Sequence, residues 1–218
     1  MSNAVVAGSE DEALRGSAAK RAAWALYFVA VMTGFLLMGV QIGVAKILAP
    51  AFGTSTFVWG SIIAVFMGSF AAGMLIGGYL ADKKPHFGTL AALVLISGVL
   101  MLLIPLVGPA ICFAISNMGF NEVIGPLIAG TVLFFVPSSL VAVVVPYMIK
   151  LTTTSLAGVG GVTGKVNFLN TAANIAGTLA FTFIILPLLP VSQVLYIAGG
   201  LQILTAIVGM LIFKSAQK

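Results

Sequence analysis

Charge is what this sequence has least of. Only 7% of its 218 residues are Asp, Glu, Lys or Arg, and the five acids are Glu10, Asp11, Glu12, Asp82 and Glu122. It holds one cysteine, Cys112, and one histidine, His86. A lone cysteine makes no internal disulfide and, with no second soft ligand near it, no metal cluster. No carboxylate pair, no nucleophile beside a base and no metal-ligand spacing are present, so the parts from which active sites are assembled are missing. The sequence is therefore expected to be non-catalytic and to need no cofactor.

What fills the chain instead is hydrocarbon. Hydrophobic residues make up 61% and the mean hydropathy is +1.20, well beyond an ordinary soluble domain. Several apolar runs exceed the roughly 20 residues that a helix needs to cross about 30 Å of bilayer. The predicted fold is all-α: a polytopic integral membrane bundle of six transmembrane helices. Its spans are read as about 24–48, 57–81, 87–107, 123–149, 166–188 and 191–213. Pro50 with Gly53, and Asp82 to Pro85, punctuate the first two. Pro109 and the mixed stretch up to Glu122 read as an interfacial segment. Pro137 and Pro146 predict a distortion in the fourth span.

Residues 1–22 are polar, and the apolar run after them is too long for a signal-peptide core. Ser9 with Glu12 fits a capping box, but so little of the segment can be buried that a disordered cytoplasmic tail is expected. Residues 23–214 form the membrane domain and 215–218 a short second tail.

The basic residues test this parse, because Lys and Arg gather on the cytoplasmic side of membrane proteins. Nine of the ten comply with six spans: Arg15, Lys20, Arg21, Lys83, Lys84, Lys150, Lys165, Lys214 and Lys218. Both termini are thus expected in the cytoplasm. The net charge of +5 is accounted for by orientation, and no nucleic-acid partner is expected. Lys46 alone falls near the opposite end, where it is either functional or snorkels to the headgroups.

Small residues let helices approach closely in lipid. The second span carries two such stripes, Gly60, Ala64, Gly68, Ala72 and Ser69, Gly73, Gly77, and is read as a central packing helix. The fifth presents Asn167, Asn170, Thr171, Asn174, Thr178 and Thr182 at spacings of three and four, hence on one face. Polar side chains in lipid need partners, so this face turns inward. It serves either as a solute path or docking groove together with Gln41, or as interhelical hydrogen bonding alone. Residues 158–165, GVGGVTGK, miss the phosphate-loop pattern: Val159 stands where its first glycine is required, and Val166 follows the lysine. They are read as a flexible connector, and His86 as a solvated loop residue.

Three stretches together resemble the membrane half of bacterial proteins in which a major-facilitator-like bundle is fused to a spermidine synthase domain. They are QIGVAKILAPAFG at 41–53 with GGYLADKK at 77–84, FVPSSLVAVVVPYMIKL at 135–151, and GKVNFLNTAANIAGTLAFTFIILPLL at 164–189. The resemblance implies a major-facilitator-like half bundle in a bacterial inner membrane, with Asp82 pairing at a helix terminus and Lys83 and Lys84 anchoring the loop. That family continues into a Rossmann-like catalytic domain, whereas this sequence ends five residues after its sixth predicted span. It also carries Glu and Arg where Gln41 and Lys46 stand here.

These expectations converge on a membrane module acting as scaffold or accessory subunit. Its partners would be the lipid bilayer and another membrane or membrane-associated protein. The alternative is a small-solute transporter formed when two six-helix chains dimerise.

Overall fold

The computed structural model describes residues 2–153 and 158–215, with side chains from residue 21 onward. Every regular element among the described residues is helical. Six helical stretches are long and apolar enough to cross a bilayer: Arg21–Phe52, Thr56–Lys83, Phe87–Ser116, Ile124–Thr152, Val159–Leu188 and Val191–Ser215. This is the architecture of a multi-pass helical membrane bundle, with both ends of the chain at the same end of it.

Several predicted boundaries move outward. The first helix starts at Ser2, so the segment expected as a disordered tail continues the first span as helix. Its alanines and leucine are strong helix formers. Pro50 lies inside that helix, and Pro105 and Pro109 lie inside the third, which runs to Ser116. Membrane helices tolerate proline because neighbouring groups satisfy the freed carbonyls. The fifth span begins at Val159, so the glycines expected in a connector form its first turns. Residues 154–157 of that connector and 216–218 of the second tail lie outside the described residues.

The fourth span is distorted where its prolines predict. A π-helical turn occupies Thr131–Phe135, two residues before Pro137, and the helix is interrupted again at Val143, three residues before Pro146. A second π turn, Phe181–Ile185, again ends two residues before a proline, Pro187. In both, proline removes an i→i−4 donor and the preceding turn relaxes to wider hydrogen bonding.

Packing follows a repeating scheme. The fifth span packs chiefly on the first and the second on the fourth; the sixth packs on the first and third, and the third also on the fourth. Exchanging spans one to three with four to six reproduces these pairs. Three crossings reverse the direction of a chain, so units related this way are antiparallel, as in inverted-repeat membrane folds.

Glycines mark the equivalent crossings. A Cβ at Gly73 would collide with the backbone oxygen of Ser139, and one at Gly177 with that of Phe35. Gly98 and Gly199 face each other, each 3.0 Å from the other's carbonyl oxygen as measured from an added Cβ. Gly73 and Gly177 are 104 residues apart, as are Phe35 and Ser139, and Gly98 and Gly199 are 101 apart. The same close approaches therefore recur in both halves.

The buried apolar residues form two clusters stacked along the bundle. One includes Val40, Leu48, Ile62, Ile104, Phe134 and Leu195; the other, nearer the chain ends, includes Val29, Leu90, Val94, Tyr147 and Val166. Buried polar residues Thr33, Ser69, Ser97, Asn170 and Gln202 fall between the clusters along their respective spans. A polar layer thus crosses the middle of the bundle. Ser97 Oγ, for example, donates 2.9 Å to the carbonyl of Pro137, tying the third span to the fourth.

Candidate functional site: an amide-lined groove between the second and fifth spans

The second and fifth spans flank the first without closing over it. Between them lies a groove of about 410 Å³, within the size range of pockets that hold small molecules. The first span contributes Met38 and Gln41, and the second Ile63, Met67, Phe70 and Met74. The fifth lines it with Asn167, Asn170, Thr171 and Asn174. One wall is soft and apolar and the other carries amides and a hydroxyl. The face predicted from the spacing of the fifth span and its pairing with Gln41 therefore meet in one place.

Close helix approach builds the polar wall. An added Cβ at Gly34 would lie 2.8 Å from Asn170 Nδ2 and 2.9 Å from Asn174 Oδ1, so glycine at this position makes room for both amides. Asn170 is 7% exposed, and its Nδ2 donates 3.3 Å to the carbonyl of Ala30. Asn174 Nδ2 donates 3.4 Å to Asn170 Oδ1. The Asn174 Oδ1 is buried and has no hydrogen-bond partner. Thr178 turns its hydroxyl back to the Asn174 carbonyl at 2.9 Å and so leaves the face to the amides.

Asn167 and Thr171 are exposed on the groove side and Gln41 is half-buried. The fifth span is the least buried of the six. Interhelical hydrogen bonding accounts for Asn170 and part of Asn174. Asn174 Oδ1 is turned toward Gly34 on the first span, while Asn167 and Thr171 have no hydrogen-bond partner among the described residues.

Lys46 lies elsewhere. It stands five residues beyond Gln41, about 140° further around the helix, and its Nζ donates 3.0 Å to the carbonyl of Leu186. A neighbouring helix thus holds the ammonium, in addition to whatever contact it makes with headgroups. The two glycine stripes of the second span also part company. Gly73 and Gly77 are buried against the fourth span, with an added Cβ at Gly77 falling 2.8 Å from Pro146 Cγ. Gly60 has nothing within 4 Å, and Gly68 makes only an ordinary contact with Phe135 at 3.7 Å. The stripe of Gly60 and Gly68 faces outward.

At the end of the bundle that holds the termini, Lys150 Nζ meets Asp82 Oδ1 at 2.6 Å, and the Tyr147 hydroxyl donates 3.3 Å to the Lys84 carbonyl. Both contacts join the ends of the second and fourth spans. Lys83 lies over the Tyr79 ring at 4.4 Å. His86 is exposed and opens the third helix without a side-chain cap. Residues 159–165, compared above with a phosphate loop, are helical and form no cradle.

Gly34, Gly39 and Gly177 escape notice in the sequence, although they set the crossing of the first and fifth spans. Gly39 packs against the ring of Phe181 and Gly177 against the backbone of Phe35. Spacing reports which residues share a face, and it does not report which face another helix meets. No family model, no curated protein and no solved structure matches the chain. Fold and site together define a multi-pass helical membrane protein with an amide-lined groove on one flank.

Proposed function

We propose that the chain is a non-catalytic membrane module, scaffold or accessory subunit in character, whose working face is the groove between the second and fifth spans. The observation that carries this is a pair of polar side chains, Asn167 and Thr171, exposed on the groove wall with no hydrogen-bond partner among the described residues. Hydrocarbon offers such groups no hydrogen bonds, and a lipid-facing amide is costly. A second membrane-spanning chain seated in the groove would satisfy them and would cover the apolar wall of Met67, Phe70 and Met74.

The paired three-helix units and the crowding of Lys and Arg at one end support a major-facilitator-like half bundle. The same charge asymmetry favours both termini in the cytoplasm, and the resemblance noted above favours a bacterial inner membrane. A second reading is a small-solute transporter in which two copies face each other across their grooves. The size of the groove and its uncharged amide wall favour it to the extent that they would bind a neutral, hydrogen-bonding solute.

A photoreactive amino acid at Thr171, with a lipid-facing position such as Phe183 as control, separates the readings. Irradiation of native membranes should yield an adduct with a distinct membrane polypeptide from Thr171 and none from Phe183. A covalent dimer of the chain would favour the transporter. Adducts with lipid alone at both positions would overturn the proposal that the groove is a working face.

A further inference from the structure

A second depression lies on the opposite flank of the fifth span, toward the end of the bundle where the chain termini meet. It measures about 580 Å³ and runs from Trp24 past Tyr27 and Phe28 to Val31 along the first span, with Leu169 and Lys165 on the fifth. Lys165 and Leu169 are four residues apart and so share a helix stripe. At 100° per residue that stripe is roughly opposite the amide face. The two cavities therefore belong to different sides of the molecule, and this inference is independent of the function proposed for the groove.

The walls are almost wholly apolar, and the one charge is at the mouth. Lys165 is exposed, and its Nζ sits 5.3 Å from the centroid of the Tyr27 ring. Arg21, also exposed, is one turn before Trp24 on the same stripe of the first span. Among residues whose side chains are described, the acids are Asp82, engaged with Lys150, and Glu122, at the far end of the bundle. The cations at the mouth thus have no carboxylate partner among these residues. Trp24 is 72% exposed, and Trp and Tyr are the side chains that favour the membrane interface. From residue 23 to residue 32 the first span rises about 14 Å, half of the roughly 30 Å hydrocarbon layer.

A cation and an aromatic ring at the interface, above an apolar trough one leaflet deep, match an amphiphile with a negative head and a hydrocarbon tail. We infer that this flank binds an anionic phospholipid, its phosphate paired with Lys165 and Arg21 and one acyl chain lying along Tyr27, Phe28 and Val31. Basic pockets between membrane helices are a recurrent means of holding acidic headgroups. The lipid would fill the gap beside a fifth span that packs mainly on the first and is otherwise the least supported of the six.

The chain has two tryptophans, Trp24 and Trp59, so a Trp59→Phe chain reports from the trough alone. It would be placed in phosphatidylcholine nanodiscs carrying a fixed minority of brominated phosphatidylglycerol or, in parallel, of brominated phosphatidylcholine. Brominated phosphatidylglycerol should quench Trp24 in excess, by an amount equivalent to roughly fivefold enrichment for one interfacial cation. The excess should fall in Lys165→Ala, vanish when Arg21→Ala is added, persist in Lys165→Arg and be unchanged in Lys214→Ala. It should also fall as salt is raised on the chain with Lys165 intact, a readout that needs no change at the site. Equal quenching by the two lipids, or an excess indifferent to salt or to Lys165→Ala, would overturn the inference. So would a Trp24 shielded from both lipids, which would place protein in the trough.

Discussion

Lys46 and Leu186 are joined by a hydrogen bond from the ammonium to a main-chain carbonyl, 3.0 Å long. The carbonyl is open because the helix ends at Leu188 and Leu189 is extended, so the last carbonyls have no donor from the helix itself. A charged side chain that looked like a functional oddity in a span is thus placed to complete a helix terminus. Lys46→Met should lower unfolding stability by about 1 kcal/mol, the net worth of a partly exposed hydrogen bond, and Lys46→Arg by less than half of that. Chemical denaturation in mild detergent compares the variants, and an equal loss in Lys46→Met and Lys46→Arg would refute the role of this hydrogen bond.

The glycines of the second span are expected to behave in two ways. Gly73→Leu would drive a side chain into the Ser139 backbone and should cost about 3 kcal/mol or abolish folding, as overpacking without room to relax does. Gly177→Leu should do the same at the first span. Gly60→Leu, with nothing within 4 Å, should stay within about 0.5 kcal/mol, as surface substitutions do. Thermal unfolding followed by size-exclusion profile distinguishes them.

Cysteine accessibility checks the groove. In a Cys112→Ser chain, Asn167→Cys and Thr171→Cys should react with a membrane-impermeant maleimide if the groove is wet, while Phe183→Cys, 71% exposed on the outer face, should react only with a lipid-soluble one. If the groove seats a second chain as proposed, the first pair should react less in native membranes than in detergent. Asn170→Leu, which removes the donor to Ala30, should cost about 1 kcal/mol, typical of hydrogen bonds between membrane helices.

In the ion pair of Lys150 with Asp82 the side chains are exposed at 48% and 70% respectively. Solvent screening should hold its coupling below about 1 kcal/mol. A double-mutant cycle of Asp82→Asn and Lys150→Met should return a value in that range which falls with added salt. A larger or salt-independent coupling would mean that the two residues do more than hold helix ends together.

Six apolar runs and the side on which Lys and Arg collect were legible in the sequence because bilayer thickness and charge act on each segment separately. The amide face of the fifth span was legible from its spacing, and Gln41 lines the same groove. Boundaries were read short at Pro50 and Pro109, since prolines that would end a helix in water are carried inside one when neighbours satisfy the freed carbonyls. Gly60 and Gly73 could not be told apart, because both belong to fourfold stripes and only the position of the fourth span separates them. Gly34 and Gly177 were invisible for the same reason, and so was the recurrence of helix crossings at matching intervals. It resides in pairings between distant segments, for which local periodicity carries no signal.

Each of the two π turns, at Thr131–Phe135 and Phe181–Ile185, accommodates one residue more than an α-helix would over the same rise. Everything downstream is turned by about a quarter of a revolution. Removing one residue there would let the turn revert to α-helix and keep the flanking side chains pointing as they do. The same deletion in the unbroken second span would rotate Gly73 away from the fourth. Within the described spans, these two turns can tolerate the loss of a residue.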